Sequence, residues 1–236
     1  MGPPAPDAKL IEPKLVAPPP STKLSYGVEW RLIRAGTVTI ESRPNDMSLK
    51  LESAGLVASL FKVNDAYTST YDDPFCITSS RLDSNEGKRH HEVQVTYDRE
   101  ANKAHYVERD LANNMVLRDT TADLLPCASD VLGALAKLRN MTTEVGKSIQ
   151  LPVSNGRRTA MVKLEAQERD EVKTAIGNFK AIRYEVFLMN GIVYERKGKV
   201  YVWCTDDARH LPIQFRVRMN FPVSSVTATL EKQEGT

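Results

Sequence analysis

The chain has 236 residues, of which 41% are hydrophobic and 26% are charged. Both fractions are typical of globular domains, and a chain of this length buries about 70% of the surface it exposes when unfolded, so it needs neither a metal nor a disulfide to fold. The formal net charge of +2 results from 32 Lys and Arg residues against 30 Asp and Glu residues. This near balance argues against a nucleic-acid partner, because such proteins carry a clustered basic excess.

Proline dominates the beginning of the chain, with seven of the 13 prolines between Pro3 and Pro20. Because proline fixes φ and has no N–H, this tract predicts an extended linker or tether over residues 1–23, followed by one β-rich domain over residues 24–236. No stretch is apolar enough to span a bilayer, and the start has no intact signal peptide. The tract fits a protein whose signal or anchor has been removed, and equally a cytosolic protein with a disordered tail.

Alternating apolar and polar residues predict strands in the first half of the domain. The first strand begins near Leu24, and Ala35–Gly36 interrupts the pattern at a bulge or a tight hairpin. The segment from Leu56 to Phe61 fits either a helical turn or a strand. Further strands are predicted at Val38–Ile40, Ser48–Glu52, Ala66–Tyr71, Val93–Tyr97 and Ala104–Arg109.

One helix is predicted between Ala128 and Asn140. Ser129 or Asp130 can accept hydrogen bonds from the free N–H groups at its start, and Arg139 near its end suits the helix dipole. Its apolar residues recur at helical spacing and form one face, which we expect to pack on the sheet: Val131, Leu132, Leu135 and Leu138.

The second half returns to strands. Asn155–Gly156 and Asn190–Gly191 are both typical of two-residue hairpins. About a dozen strands joined by short turns predict a mostly β fold, a large curved antiparallel sheet that forms an open barrel or a two-sheet clamshell with one main α-helix. The predicted strands are Ala160–Ala166, Lys180–Leu188, Lys199–Cys204, Leu211–Val217 and Val226–Leu230.

The sequence contains no recognisable catalytic or cofactor motif. It has no phosphate-binding glycine loop, no nucleophile elbow and no zinc-protease signature, so we predict no catalytic residue, no cofactor and no metal. Asp206–Asp207 fits either a general acid/base pair or a turn in which the carboxylates cap backbone N–H groups. The three cysteines, Cys76, Cys127 and Cys204, fit one disulfide and a free thiol, or three buried thiols.

Aromatic residues recur in the predicted strands. They fit a hydrophobic core, or an apolar lining on the concave face of a curved sheet that binds a lipid or another hydrophobic ligand. The set comprises Tyr26, Trp30, Tyr67, Tyr106, Tyr184, Phe187, Tyr201, Trp203 and Phe215.

Several stretches, taken in order, resemble the bacterial domain-of-unknown-function family numbered 3108, which is found in exported proteins. The resemblance covers nearly all of the chain from Leu24 to Leu230, and the final stretch is the most specific part of it. The stretches are Tyr26–Trp30 with Ala35–Gly36, Val95–Arg99, Pro126–Cys127 before Asp130–Leu135 and Leu138–Arg139, Gly146–Lys147, and Val202–Ile213.

The resemblance implies export to the periplasm or cell surface, a curved antiparallel sheet and no enzyme activity. In an oxidising compartment it implies a disulfide between Cys76 and Cys127, whose loop of about 50 residues contributes roughly 4 kcal/mol on the chain-entropy model. We interpret the shared positions as fold determinants rather than catalysts: Trp30, Gly36, Trp203, Asp206, Asp207 and Pro212.

Two functions follow as expectations. The first is binding of a lipid or another hydrophobic small molecule in the bacterial envelope. The second is an envelope scaffold, in which the proline tract tethers the domain and exposed strand edges recruit a protein partner by strand addition. An enzyme would need converging polar side chains that the sequence does not identify.

Overall fold

The computed structural model describes residues 21–72, 75–141, 143–189, 193–194, 197–219 and 225–235, and these form 14 strands and two helices. The proline tract up to residue 20 and the Asn190–Gly191 turn signal lie outside the described residues. The first half contains β1 (Thr22–Trp30), β2 (Ile33–Ser42), β3 (Asp46–Ser53), α1 (Gly55–Leu60), β4 (Val63–Asp72), β5 (Cys76–Glu86), β6 (Arg89–Asp98), β7 (Lys103–Asp110) and β8 (Met115–Asp123). The second half contains α2 (Val131–Arg139), β9 (Ser148–Ser154), β10 (Thr159–Thr174), β11 (Gly177–Val186), β12 (Gly198–Thr205), β13 (Pro212–Met219) and β14 (Ser225–Glu234).

All 14 strands belong to one antiparallel sheet, which confirms the predicted fold class. Its order is β8-β7-β6-β5-β4-β3-β2-β1-β14-β13-β12-β11-β10-β9. Each half of the chain is therefore a meander of neighbouring strands, and the two halves join in the middle of the sheet where β1 pairs with β14. The edge strands are β8 and β9, which do not pair with each other, so the sheet is curved but not closed.

The first hairpin contains both a tight turn and a β-bulge, the two alternatives that the interrupted pattern at Ala35–Gly36 left open. The turn is at Arg31–Leu32, where both residues have positive φ, as a two-residue hairpin turn requires. The register then shifts between Val28 and Glu29, which makes Ala35 beside Gly36 the extra residue of a β-bulge. The predicted interruption is thus the bulge, and the turn comes earlier in the chain.

The Asn155–Gly156 signal does mark the hairpin between β9 and β10, but its turn is wider than predicted. Ser154 pairs with Thr159, so the loop contains four residues. Gly156 has a positive φ of 84°, whereas Asn155 is not among the positive-φ residues of the described chain. Instead, the Asn155 side chain accepts hydrogen bonds from the backbone N–H groups of Arg157 and Arg158.

Helix α2 connects the two edge strands and lies inside the curve of the sheet. It contacts β3 and β4 on one side and β9 on the other, although these strands are far apart in the sheet order. The residues before it bridge the same gap. Ile77 of β5 donates to the carbonyl of Ala128, while Ser129 exchanges backbone hydrogen bonds with Pro152 and Ser154 around β9. This segment closes one end of the open sheet.

The Cys76–Cys127 disulfide fastens that segment to β5, which confirms the pairing that the family resemblance implied. Ser129 adds a hydrogen bond from its hydroxyl to the Phe75 carbonyl. Lys137 of α2 donates to the Cys127 carbonyl at 3.1 Å, and burial, together with the Arg99 charge, lowers the pKa of Lys137 to about 8. The approach to α2 is therefore held by one covalent bond and several polar contacts.

Candidate functional site

An apolar cavity of about 240 Å³ lies between α2 and the concave face of the sheet. On β2, β10 and β12 the lining residues are two positions apart, as expected for side chains on one face of a strand. Among the residues that the structure describes, no charged or polar side chain belongs to the lining. The 17 lining residues are Val38, Ile40, Leu49, Val131, Leu132, Ala134, Leu135, Leu138, Val153, Val162, Leu164, Val186, Leu188, Val200, Val202, Phe215 and Ala228.

The cavity is not fully enclosed. Leu138, Val162 and Leu164 are buried, but several other lining residues are only half-buried, and Val131 at the start of α2 is 39% exposed. Five of the lining residues belong to α2. The position of this helix therefore decides how wide the cavity is.

Of the two interpretations of the aromatic set, the apolar lining has little support, because only Phe215 of the set borders the cavity. Tyr26 and Tyr184 are fully buried core residues, as the alternative interpretation expected. Tyr26 packs edge-on against Phe215 with ring centroids 5.3 Å apart, and its hydroxyl donates to the Pro212 carbonyl. Aliphatic side chains form the wall, and their alternation in the strands is the signal that could have identified them.

A buried polar cluster surrounds Asp130 at the start of α2, beside the cavity. Asp130 is the N-cap and accepts a hydrogen bond from the Gly133 N–H at 2.8 Å. It also accepts hydrogen bonds from the hydroxyls of Tyr67 and Tyr71, both at 2.6 Å, and of Ser69. Burial and the nearby Asp130 charge raise the pKa values of both tyrosines. Sequence reasoning offered Ser129 or Asp130 as the cap, and it did not identify the three partners of Asp130 on β4.

The two carboxylates of Asp206 and Asp207 diverge. Asp206 binds the Arg169 guanidinium at 2.7 Å, whereas Asp207 accepts from the hydroxyl of Thr205 and from the backbone and side chain of Arg209 within the turn. These hydrogen bonds lower the pKa of Asp207 against the opposing effect of burial, which is the largest single influence. Of the two interpretations, the geometry fits the turn, and the general acid/base interpretation has no support.

The other expected fold determinants lie in the sheet. Trp203 is buried, donates from its indole N–H to Asp170 at 2.7 Å and has the Arg216 guanidinium over its ring. Trp30 ends β1, and a side chain at Gly36 would collide with the backbone of Glu52. These contacts are consistent with structural roles, which remain predictions until the residues are changed.

The histidines are dispersed. His90, His91 and His105 each lie near a carboxylate on a neighbouring strand, and His210 is buried beside Tyr184. The described residues contain no group of three or more His, Cys, Asp or Glu residues arranged to hold a metal ion. Cys204 is a buried free thiol. No helix within the described residues is long and apolar enough to cross a membrane.

Comparison with known families connects this architecture to one of them. The family model described as protein of unknown function, DUF3108, matches residues 25–231. The chain belongs to the DUF3108 family. The match begins inside β1 and ends inside β14, so it includes both meanders, α2 and the cavity. None of the curated proteins matches the chain.

Solved structures provide a fold comparison. A β-barrel-like protein of the DUF1849 family from Brucella abortus aligns with a TM-score of 0.57 and 10% identity, over 92% of this chain and 98% of that one. A candidate exported protein with a YmcC-like fold from Bacteroides fragilis has a TM-score of 0.33 and 9% identity, over 94% and 99% of the two chains. A candidate lipoprotein from Parabacteroides distasonis has a TM-score of 0.32 and 7% identity, over 92% and 96%. The first similarity shows a shared fold, and the other two are too low to support an argument.

Proposed function

We propose that this DUF3108 domain binds the apolar part of a lipid or another hydrophobic small molecule, in the bacterial envelope. The observation that carries the proposal is the cavity beside α2, whose 17 lining residues are all apolar. None of them is titratable, so the proposed role is binding rather than catalysis. Sites for hydrophobic ligands are concave, apolar and largely formed in advance.

The size of the space is unusual for a protein interior. Packed cores leave few voids larger than a water molecule, whereas this space is about 240 Å³. An apolar molecule lying there would remove apolar surface of α2 and the sheet from water, which favours binding by about 25 cal/mol per Å².

The size of the cavity indicates what fits. It is larger than the engineered 150 Å³ apolar cavity that binds benzene, and smaller than the range of about 300–1,000 Å³ typical of sites for drug-sized ligands. At about 240 Å³, it suits a single alkyl chain better than the body of a two-chain lipid.

The disulfide supports an envelope location. Cys76 and Cys127 are joined in the folded protein, and such bonds persist in the periplasm and at the cell surface but are rare in the cytosol. The family resemblance to exported proteins agrees with this assignment.

Filling the cavity tests the proposal. The side chain of Ala228 on β14 lines it, so Ala228→Phe should block part of the space. Each methylene group excluded from an apolar site reduces binding by about 0.8 kcal/mol, so the loss of two lowers affinity about tenfold or more. The measurement is fluorescence titration with N-phenylnaphthylamine, using protein delipidated by organic extraction.

The matched control is Thr227→Phe, because the neighbouring residue points to the opposite face of the same strand. We expect this variant to bind the probe like the wild type, and urea unfolding of both variants shows whether either is damaged. Unchanged affinity in Ala228→Phe, or an equal loss in both variants, would contradict the proposal.

One observation favours the scaffold as a second function. Within the described part of the chain, strand β8 pairs on one side only. Three consecutive apolar residues of this strand, Met115, Val116 and Leu117, are 56%, 58% and 45% exposed. An edge strand with exposed hydrophobic residues is a template for pairing with another chain. On this alternative, a protein partner of the envelope would add a strand beside β8.

Charged substitutions on β8 test whether this strand recruits a protein partner. Changing Met115 and Val116 together to Lys should abolish partner recruitment, because lysines on an edge strand oppose strand addition. Proteins captured from envelope extract by the wild type and the double variant are compared by mass spectrometry. A partner retained by the variant at wild-type level would argue against docking at β8, and probe binding in the cavity should stay unchanged.

A further inference from the structure

Polar groups without partners gather at the end of α2. The Nε atom of Arg139 and the hydroxyls of Thr143 and Tyr184 are buried without a hydrogen bond, and so is Nε2 of His210; in the part of the chain that the structure describes, these are the side-chain atoms in that state. Tyr184, Thr143 and His210 are 0%, 4% and 7% exposed. Buried polar atoms are normally paired, so several unpaired atoms in one region need an explanation.

These groups are neighbours. The rings of Tyr184 and His210 are 5.5 Å apart at their centroids. Burial raises the pKa of Tyr184, and the Thr143 hydroxyl is close enough to oppose that rise, but the two hydroxyls do not meet hydrogen-bond geometry. Arg139 lies near enough for its charge to help lower the pKa of His210, after the larger effect of burial. We call Arg139, Thr143, Tyr184 and His210 the polar chamber.

The polar chamber contains a positive charge and no carboxylate. The only hydrogen bond from Arg139 in the described residues goes to the hydroxyl of Thr22, at a long 3.3 Å, and Arg139 forms no ion pair there. Burial lowers the pKa of Arg139 and raises that of the adjacent Cys204 thiol. The acidic groups that act on His210 are Asp206 and Asp207, and these bind Arg169 and Arg209. A partly buried cation without a counter-charge is costly to keep.

The polar chamber adjoins the apolar cavity. Arg139 directly follows Leu138, a lining residue. Tyr184 pairs across β11 and β12 with Val202, which also lines the cavity. The four chamber residues do not themselves line the cavity, so a linear molecule lying in it would reach these polar groups by extending past Leu138 and Val202.

We propose that the occupant of the cavity is a single-chain amphiphile with a carboxylate headgroup, whose alkyl chain lies against the apolar wall and whose carboxylate binds Arg139, Tyr184 and His210. This inference rests on the proposed binding function and names the ligand class. A guanidinium binds a planar carboxylate through two parallel N–H···O bonds. The Tyr184 hydroxyl and a neutral His210 ring can each donate one further hydrogen bond.

The test compares two ligands of equal chain length, decanoate and decanol, as competitors of N-phenylnaphthylamine. In the wild type, decanoate should bind at least about tenfold more tightly, because a hydrogen bond to a charged group is worth about that factor or more. Arg139→Met should remove the preference for decanoate while decanol still binds. Arg218→Met, at an exposed arginine of β13, should behave like the wild type.

Tyr184→Phe separates binding from folding. The Tyr184 hydroxyl has no hydrogen-bond partner among the described residues, so its removal should leave the urea midpoint unchanged, whereas decanoate affinity should fall several-fold with decanol unaffected. Equal affinities of the two ligands for the wild type would overturn the inference but leave hydrophobic binding intact. Parallel losses of both ligands in Tyr184→Phe would also overturn it. Failure of both ligands to bind the wild type would overturn the proposed function as well.

Discussion

At the residue scale, Asp130 shows how one side chain joins a helix to a sheet. Its carboxylate is 1% exposed, and among the described residues it forms no ion pair. Four donors replace the water that burial removed: the Gly133 N–H and the hydroxyls of Tyr67, Ser69 and Tyr71. A carboxylate can be buried without a cation only when its oxygens are hydrogen-bonded in this way. The three hydroxyls all come from β4, so this cluster fixes the start of α2 against that strand.

Replacing Asp130 with Ala removes the cap and leaves the three β4 hydroxyls without their partner. Loss of a cap costs about 1 kcal/mol, and each buried hydroxyl left unpaired costs about 1–3 kcal/mol. Because the freed helix end can admit water, we expect the free energy of unfolding to fall by about 3–5 kcal/mol. Urea denaturation followed by circular dichroism measures the change.

The control for this variant is Asp119→Ala. Asp119 forms an exposed pair with His105 on β7 at 2.8 Å, so its removal should change the free energy of unfolding by no more than about 0.5 kcal/mol. If Asp130→Ala loses only about 1 kcal/mol, the value of a cap alone, then the hydroxyls of β4 do not depend on Asp130 for their stability.

At the element scale, the sequence predicts an element best where local pattern and tertiary environment agree. Helix α2 has a continuous apolar face, and its observed limits, Val131–Arg139, lie inside the predicted Ala128–Asn140. Strands β5 and β8 were not predicted. The interior strand β5 is rich in Ser, Asp and Asn, residues typical of turns, but β4 and β6 pair with its backbone on both sides. Backbone pairing with β4 and β6 therefore outweighs the low strand propensity of these residues.

Strand β8 has a different reason for being missed. It is exposed along most of its length, so its side chains show no alternation between buried and exposed positions. Its backbone nevertheless pairs with β7 from Met115 to Asp123, with one register shift near Arg109. Since periodic hydrophobicity reports burial on one face, an edge strand that buries neither face gives no such signal.

At the scale of the whole molecule, the sheet has a seam between β8 and β9 that the intervening chain partly closes. The disulfide and the Ala128 carbonyl join this chain to β5, Ser129 joins it to β9, and α2 contacts β3, β4 and β9. The cavity is formed when α2 is held there, because the helix supplies five of its 17 lining residues. Loss of the contacts that hold α2 in place should therefore weaken ligand binding.

Removing the disulfide tests this coupling. The two cysteines are 51 residues apart, so a double variant with Ala at Cys76 and Cys127 should lose about 4 kcal/mol of unfolding free energy on the chain-entropy model. Its affinity for N-phenylnaphthylamine should fall as well, because the segment before α2 is no longer fastened to β5. Both quantities are measured with and without a reductant.

The reductant provides the control. It should lower the urea midpoint of the wild type toward that of the double variant and leave the double variant unchanged, since Cys204 is the only other cysteine. An unchanged wild-type midpoint after complete reduction would show that the bond does not stabilise the fold. A lower free energy of unfolding with unchanged probe affinity would show that the cavity does not depend on the disulfide.

The fold class, the helix and several strands could be predicted from the sequence, because period-two and helical patterns record which faces are buried. Family resemblance implied the disulfide. The contacts between distant residues could not be predicted in this way. The β4 hydroxyls reach Asp130 from about 60 positions earlier in the chain, and Arg139 lies near His210 because α2 is placed inside the curved sheet. Such contacts depend on how segments far apart in the chain pack together. A pattern within one segment contains no information about its distant partners.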